Sequence, residues 1–336
     1  MGTLLYLRIN LTGHQQTGWE TYEVLKAMYN LFKDTPARRS LYMDITGDTV
    51  FPVKFTSIRW LENGPCVERA LKIFDKVSQF VTDDSVPENH NQKILKAAMA
   101  KPLLKARLAA VKSVIADCEP FLRRFQSDKP LAPFLYTALL ELFHNLMARI
   151  VKTKKLEAVS SQNIYLDLTN NENLLATENI GIGFEAKRLL KDAKCSEKDK
   201  LLFKTDFRKF IVALIGKLLE KSPIKSRFVR GLSCFDPKVV RNFSDIAIKR
   251  VDIVLETLHE SDKIKGEVAD NAKKQYQKMV SEAQSTWSQK FEGFNDDGIG
   301  LDEFYHLLIG ADKQYEEIWY VMKICLIISH GNASVE

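Results

Sequence analysis

The chain has 336 residues, of which 45% are hydrophobic, so it can bury a sizeable core in one large or two medium domains. Its 15 glycines and 10 prolines are too few for a disordered chain or for a sandwich with many turns. The net charge of +6 permits an acidic partner such as nucleic acid without requiring one, because charged residues are mostly interspersed.

The five cysteines are scattered and never form a C-x-x-C pair, which argues against a disulfide framework or a zinc site and favours a reducing compartment. The N-terminus has neither a basic region nor a small-residue cleavage site. The apolar run at residues 318–328 is too short to span a membrane. We therefore expect an intracellular protein, nuclear or cytoplasmic, with no membrane segment.

Two segments near the start have the composition of strands. Apolar residues alternate at positions 5, 7, 9 and 11, so this stretch is either a strand or irregular chain before Gly13. Residues 19–32 then show the spacing of a helix. Residues 50–60 are rich in β-branched and aromatic side chains, and Pro52 makes them an edge strand rather than a central one.

From residue 66 onward, helical periodicity dominates. Apolar stripes begin at Ala70, Leu135, Phe203 and Ile248, with a weaker one near residue 268. Ser196 and Asp199 resemble a capping box at the start of the helix that carries Phe203. The sequence thus predicts a mainly α fold with one or two short strands near the N-terminus.

Familiar catalytic motifs are missing from the chain. Residues 294–304 are acidic, but a calcium loop in that register would have Gly293 and Phe304 as ligands, so two oxygen donors are lacking. Gly181-Ile-Gly183 is a fragment of a phosphate loop without its third glycine. His144 lies on a strongly apolar helix, where a packed imidazole is the simpler interpretation.

A basic stretch from Lys217 to Arg230 includes Lys225, Arg227 and Phe228. Such a run is either the solvated end of a helix or a surface that contacts phosphates. Arg59-Trp60, at the end of the second predicted strand, likewise has two interpretations. Trp60 is either ordinary core or a platform on which an unpaired base stacks while Arg59 neutralises the adjacent phosphate.

Several stretches together resemble the transposases of the hobo–Activator (hAT) class, in particular the proteins derived from them in animal genomes. They occur in the expected order and extend from near the N-terminus to the last residue. The matching stretches are residues 28–39 (MYNLFKDTPARR), 51–60 (FPVKFTSIRW), 67–70 (VERA), 218–225 (LLEKSPIK), 229–234 (VRGLSC) and 329–336 (SHGNASVE). The last stretch is the most specific.

The resemblance implies an RNase H-like catalytic core interrupted by a long α-helical insertion. Residues 1–65 would be a remnant of that core, residues 66–311 the insertion domain, and residues 312–336 a truncated start of the return to the core. In the family, three carboxylates hold two Mg²⁺ or Mn²⁺ ions for DNA strand transfer. The third carboxylate corresponds to Glu336, and the Arg-Trp pair that stabilises a flipped base corresponds to Arg59 and Trp60.

The departures from the family pattern predict a protein that is not a nuclease. The two aspartate-bearing strands, the zinc finger and the dimerisation helices of the family have no counterpart here, so Glu336 would be vestigial and no metal cofactor is expected. The first interpretation is a truncated transposase-derived protein with residual DNA binding through Arg59, Trp60, Lys225, Arg227 and Arg230. The alternative is a helical protein-interaction module that binds no nucleic acid. We also expect exposed apolar area on the C-terminal helix, which would permit a homo-oligomer.

Overall fold

The computed structural model describes residues 19–56, 63–157 and 166–328, which are mainly α-helical. The helices of the first half are α1 (Thr21–Phe32), α2 (Pro36–Thr46), α3 (Gly64–Lys72), α4 (Phe74–Thr82), α5 (His90–Met99), α6 (Leu104–Phe125), α7 (Leu135–Ala148), α8 (Thr153–Glu157) and α9 (Phe184–Asp192). Those of the second half are α10 (Glu197–Lys221), α11 (Arg227–Leu232), α12 (Pro237–Asn242), α13 (Ser244–Glu260), α14 (Gly266–Gln284), α15 (Ser288–Glu292), α16 (Leu301–Ile309) and α17 (Glu316–Leu326). The predicted mainly α fold is confirmed at this level.

The chain divides into two compact units. Unit A comprises the described residues of Arg8–Leu122 and Leu142–Leu218, and unit B those of Arg123–Glu141 and Leu219–Glu336. The boundaries at residues 65 and 311 were predicted from the resemblance to hAT transposases. The division into two compact units does not test them, so they stay predictions.

The predicted strand at residues 50–60 is wrong over its described part, residues 50–56, which are irregular. In this segment, side chains form hydrogen bonds with backbone groups that a neighbouring strand would otherwise pair. The Arg69 guanidinium donates to the Phe51 carbonyl at 3.1 Å, and the Asn63 side chain pairs with both backbone groups of Thr56 at 2.8 and 2.9 Å. Among the described residues, the only β-type pairing is an isolated antiparallel bridge between Val151 and Leu174. The other predicted strand, residues 5–11, lies outside the described residues.

The core of unit A is rich in aromatic rings. Trp19 stacks on Phe203 with ring centroids 5.1 Å apart, and Phe32 meets Tyr42 edge to face at 5.0 Å. Helix α10 contributes its predicted stripe to this core, since Phe203, Phe207, Phe210, Ile211, Leu214 and Leu218 are all buried. The predicted capping box at its start is also confirmed. Ser196 Oγ accepts from the Asp199 amide at 3.1 Å, and the Asp199 carboxylate accepts from the Ser196 amide at 3.2 Å.

In unit B, two buried tyrosines hold a short 3-10 helix, Ser233–Phe235, between α11 and α12. The Tyr276 hydroxyl donates to the Cys234 carbonyl, and the Tyr305 hydroxyl donates to the Phe235 carbonyl at 3.1 Å. Burial raises the pKa of both phenols well above the usual range, so both remain protonated donors. This turn is therefore fixed from two sides, and it positions the basic residues of α11.

The C-terminal helix α17 has one buried face. The buried residues are Ile318, Val321, Met322, Cys325 and Leu326. Tyr320 and the adjoining Ile327 are 46% and 82% exposed. None of the described helices is long and apolar enough to cross a membrane.

Candidate nucleic-acid interface

Of the six predicted site residues, three can be placed in the structure. Arg59, Trp60 and Glu336 lie outside the described residues. Lys225, Arg227 and Arg230 lie close together in the chain of unit B, around α11.

Local capping builds the segment that carries these three residues. Pro223–Lys225 forms a 3-10 turn, and Ser226 then caps α11, its hydroxyl accepting from the Val229 amide at 3.3 Å. Ile224, Val229 and Leu232 are buried. Because these apolar side chains face the core, the basic side chains of the same segment face away from it. Lys225 and Arg227 are exposed, whereas Arg230 is half-buried.

A glycine brings a fourth basic residue to this surface. Gly231 lies where α11 crosses α13, and a Cβ added there would be 3.1 Å from Val254 Cγ2 and 3.3 Å from the Arg250 carbonyl oxygen. These distances are tighter than most Cβ contacts, so the backbones of the two helices meet closely at Gly231. Arg250 is consequently near enough to Arg230 for the two charges to interact.

Tyr136 lies beneath both arginines. The Arg250 guanidinium lies over the Tyr136 ring, with Cζ 5.5 Å from the ring centroid, and Arg230 is hydrogen-bonded to the Tyr136 side chain. Tyr136 is 3% exposed. Burial raises the pKa of Tyr136, and the two arginines oppose that rise. Both cations therefore contact the same buried tyrosine.

Ser233 fixes the orientation of Arg250. Arg250 Nη1 donates to the Ser233 hydroxyl at 2.9 Å, and that hydroxyl donates to the Arg230 carbonyl. Because Ser233 is fully buried, one hydroxyl ties the backbone of α11 to a side chain of α13. Burial lowers the pKa of Arg250, and the charge of Arg230 lowers it further, while Tyr136, Cys234 and the more distant Asp236 carboxyl oppose that fall.

Neutral groups, rather than carboxylates, hold these two guanidiniums. Within the described ranges, no carboxylate oxygen lies within 4.0 Å of Arg230 or Arg250. The exposed Arg227 instead faces Glu256 at 3.9 Å. Asp236 is buried nearby, but it caps α12 by accepting from the Lys238 amide at 2.9 Å, and burial raises its pKa. The arrangement is thus a half-buried site with an excess of positive charge, suited to an anion.

Sequence reasoning found part of this surface and missed Arg250 and Tyr136. The basic run identified Lys225, Arg227 and Arg230 because they are close in the chain. Arg250 and Tyr136 belong to other helices, and only the crossing at Gly231 brings Arg250 to Arg230. The one available signal was a glycine between Arg230 and Leu232, which alone does not identify the partner helix.

The described residues do not fit the Mg²⁺ or Mn²⁺ site that the family resemblance implies. In the part of the chain that the structure describes, no three His, Cys, Asp or Glu side chains are grouped to hold a metal ion. Glu336 lies outside that part. No metal-dependent step is therefore assigned to these residues.

Comparison with known proteins identifies no relative. No protein-family model, no curated protein and no solved structure matches this chain.

Proposed function

We propose that this chain is a transposase-derived, mainly helical protein that binds nucleic acid and does not transfer strands. The contact surface would be formed by Lys225, Arg227, Arg230 and Arg250. The observation that carries this proposal is the pair of half-buried guanidiniums on Tyr136 with no carboxylate partner among the described residues. The sequence resemblance to hAT transposases supports the same class of ligand.

The charge and exposure of the surface suit a phosphate backbone. Lys225 and Arg227 extend into solvent, where they would neutralise phosphates without regard to sequence. Arg227 faces only a well-exposed carboxylate, Glu256, and such a pair is weak enough to be replaced by a phosphate. Binding of this kind releases counterions and therefore weakens steeply as salt increases.

A salt titration with matched arginine variants tests the proposal. Fluorescence anisotropy with a labelled single-stranded oligonucleotide should give a log Kd against log salt slope corresponding to about three phosphate contacts. Arg227→Gln should weaken binding and reduce that slope by about one contact. Arg188→Gln is the control, because Arg188 is an exposed arginine on α9 of unit A and its replacement changes the net charge equally.

Two outcomes contradict the proposal. One is the absence of binding at low salt, and the other is an equal loss of affinity in Arg188→Gln and Arg227→Gln. Trp60→Ala in the same assay tests the stacking role that the sequence predicts for Trp60. Strand transfer by the purified protein with Mg²⁺ or Mn²⁺ on transposon-end DNA would overturn the expectation that it is not a nuclease.

A helical protein-interaction module is the second candidate, because α16 and α17 expose large apolar side chains. Leu307 is 69% exposed on α16, and Tyr320 and Ile327 are exposed on or beside α17. The two helices are neighbours, since the rings of His306 and Trp319 lie 5.9 Å apart. Exposed apolar residues on adjacent helices favour a protein contact, including one with a second copy. A mass that rises with concentration, together with no nucleic-acid binding, would favour this alternative.

A further inference from the structure

We propose that Arg230 and Arg250 together bind a phosphate monoester, the terminal phosphate of a nucleic-acid strand. This inference rests on the proposed nucleic-acid function and adds to it the kind of phosphate that is recognised. The exposed Lys225 and Arg227 would then contact internucleotide phosphates of the same strand.

Charge balance distinguishes a terminal phosphate from an internal one. Each internucleotide phosphate carries one negative charge, whereas a phosphate monoester carries about −1.5 to −2 at pH 7. Two adjacent half-buried guanidiniums repel each other, and they have no carboxylate within 4.0 Å among the described residues. A monoester neutralises both cations, and an internal phosphate leaves one of them unbalanced.

The geometry also favours a compact, multiply bonded anion. Guanidinium groups are planar forks that bind phosphate oxygens through paired hydrogen bonds. Arg250 is oriented by Ser233 through Nη1 alone, which leaves its other N–H groups directed elsewhere. Arg230 and Arg250 both contact Tyr136, so the two guanidiniums lie beside one residue of unit B.

Ser233 would act as a positioning residue in this site. It is fully buried, and its hydroxyl bridges the Arg230 backbone and the Arg250 side chain. It would not touch the phosphate, and it would set the distance between the two guanidiniums.

Oligonucleotides that differ only in a terminal phosphate test the inference. Anisotropy titrations would compare one sequence carrying a 5′-phosphate, a 3′-phosphate or hydroxyl groups at both ends. We expect one of the phosphorylated forms to bind about tenfold more tightly than the hydroxyl form, as one additional charge-assisted hydrogen bond would give. Arg230→Gln and Arg250→Gln should abolish that preference, and Arg230→Lys should retain only part of it.

Controls separate loss of the site from loss of the fold. Arg227→Gln should weaken binding of all three oligonucleotides by the same factor and leave the preference intact. Arg188→Gln should change neither. If Arg250→Gln melts at a much lower temperature, Arg250→Lys, which keeps a donor for Ser233, takes its place. Ser233→Ala should reduce the preference for a terminal phosphate more than it reduces the affinity for the hydroxyl form.

The outcomes distinguish this inference from the proposed function. Equal affinity for all three oligonucleotides, with the salt slope and the Arg227 effect intact, overturns the inference and leaves the proposed function standing. If no oligonucleotide binds, the proposed function fails, and inorganic phosphate is then titrated alone by thermal shift. If inorganic phosphate raises the melting temperature of the wild type but not that of Arg230→Gln, the same site would be assigned to a small phosphorylated molecule. The absence of any shift would overturn the site altogether.

Discussion

The arginines of the two units illustrate two ways of burying a guanidinium. In unit A, the Arg149 side chain is 13% exposed, and Nε donates to the Asp117 carboxylate at 2.7 Å. Nη1 donates to the Ser113 hydroxyl at 3.1 Å and the Gly181 carbonyl at 3.0 Å, and Nη2 to the Ser113 carbonyl at 2.9 Å. In unit B, the hydrogen bonds of Arg230 and Arg250 to described side chains go to neutral groups, the Tyr136 side chain and the Ser233 hydroxyl. Arg149 has a carboxylate in direct contact, and the two arginines of unit B have none within 4.0 Å among the described residues.

The difference indicates which buried arginine is structural. A guanidinium that has a carboxylate partner and hydrogen bonds from four of its five N–H groups, as Arg149 has, contributes specific packing and has little left to offer a ligand. A pair of guanidiniums without a carboxylate destabilises the free protein slightly and is relieved when an anion binds. Charge balance, rather than burial alone, therefore separates the structural arginine from the two that we propose bind an anion.

Removing Arg149 should give the largest effect on stability. Arg149→Met leaves the Asp117 carboxylate, 28% exposed, without its cation and leaves two backbone carbonyls without their donor. We expect the free energy of unfolding to fall by about 3 kcal/mol, measured by urea denaturation. Nucleic-acid affinity should stay unchanged at a temperature where the variant is folded.

The exposed Arg188 is the matched control for this change. Arg188→Met should alter the free energy of unfolding by less than about 0.5 kcal/mol. The double variant Arg149→Met with Asp117→Leu should be less destabilised than the sum of the single changes, because no unpaired charge remains. A loss of nucleic-acid affinity in folded Arg149→Met would remove the distinction between the two units.

Closing the space at Gly231 should have an intermediate effect. An alanine Cβ at position 231 would lie 3.1 Å from Val254 Cγ2 and 3.3 Å from the Arg250 carbonyl, so the Val254 side chain or the backbone of α13 must move by a few tenths of an ångström. We expect Gly231→Ala to lower the free energy of unfolding by about 1 kcal/mol and to reduce the preference for a terminal phosphate. Equilibrium unfolding and anisotropy measure the two effects.

Gly216 provides the control for helix propensity. It lies in α10, and a Cβ added there meets no atom within 4 Å. Gly216→Ala should therefore stabilise the protein by up to about 1 kcal/mol, since alanine favours the helix. If Gly231→Ala behaves like Gly216→Ala, the close crossing of α11 and α13 does not hold the two arginines together.

Local sequence patterns predicted the helices well and the strand poorly, for one physical reason. The stripe of α10 and the capping box at Ser196 depend on residues within a few positions of each other. The segment at residues 50–56 has the composition of a strand, but its backbone groups are bound by side chains such as Arg69 and Asn63. Those contacts depend on how α3 packs, and composition does not encode that packing.

The candidate site shows the same limit. Lys225, Arg227 and Arg230 are neighbours in the chain, so the sequence predicted them as one basic surface. Arg250 and Tyr136 reach that surface only through tertiary packing, and the absence of a nearby carboxylate can be recognised only in three dimensions.

The smallest expected effect concerns Asp236, the buried carboxyl group that is the candidate counter-ion of the two arginines. If Asp236 were a full counter-ion of Arg250, attraction would dominate and depress the pKa of Asp236. Lys238 and Arg124 do lower that pKa, and Asp236 raises the pKa of Arg250, but burial of the Asp236 carboxyl outweighs these attractions and raises its pKa. The folded state therefore binds the proton more readily than the unfolded state. The stability that this group contributes is fully present below the unfolded-state pKa of about 3.9 and is lost as the pH rises through the folded-state pKa.

Asp236→Asn tests this assignment, because asparagine keeps an oxygen that can accept from the Lys238 amide at the N-cap of α12. Relative to the wild type, the variant should become more stable as the pH rises from 4 to 7, measured by urea denaturation at each pH. A variant that instead becomes less stable than the wild type toward pH 7 would mean that neighbouring cations, Arg250 among them, hold Asp236 as an anion. The two arginines of unit B would then be neutralised as Arg149 is, and the surface around α11 would have no excess charge with which to bind a phosphate.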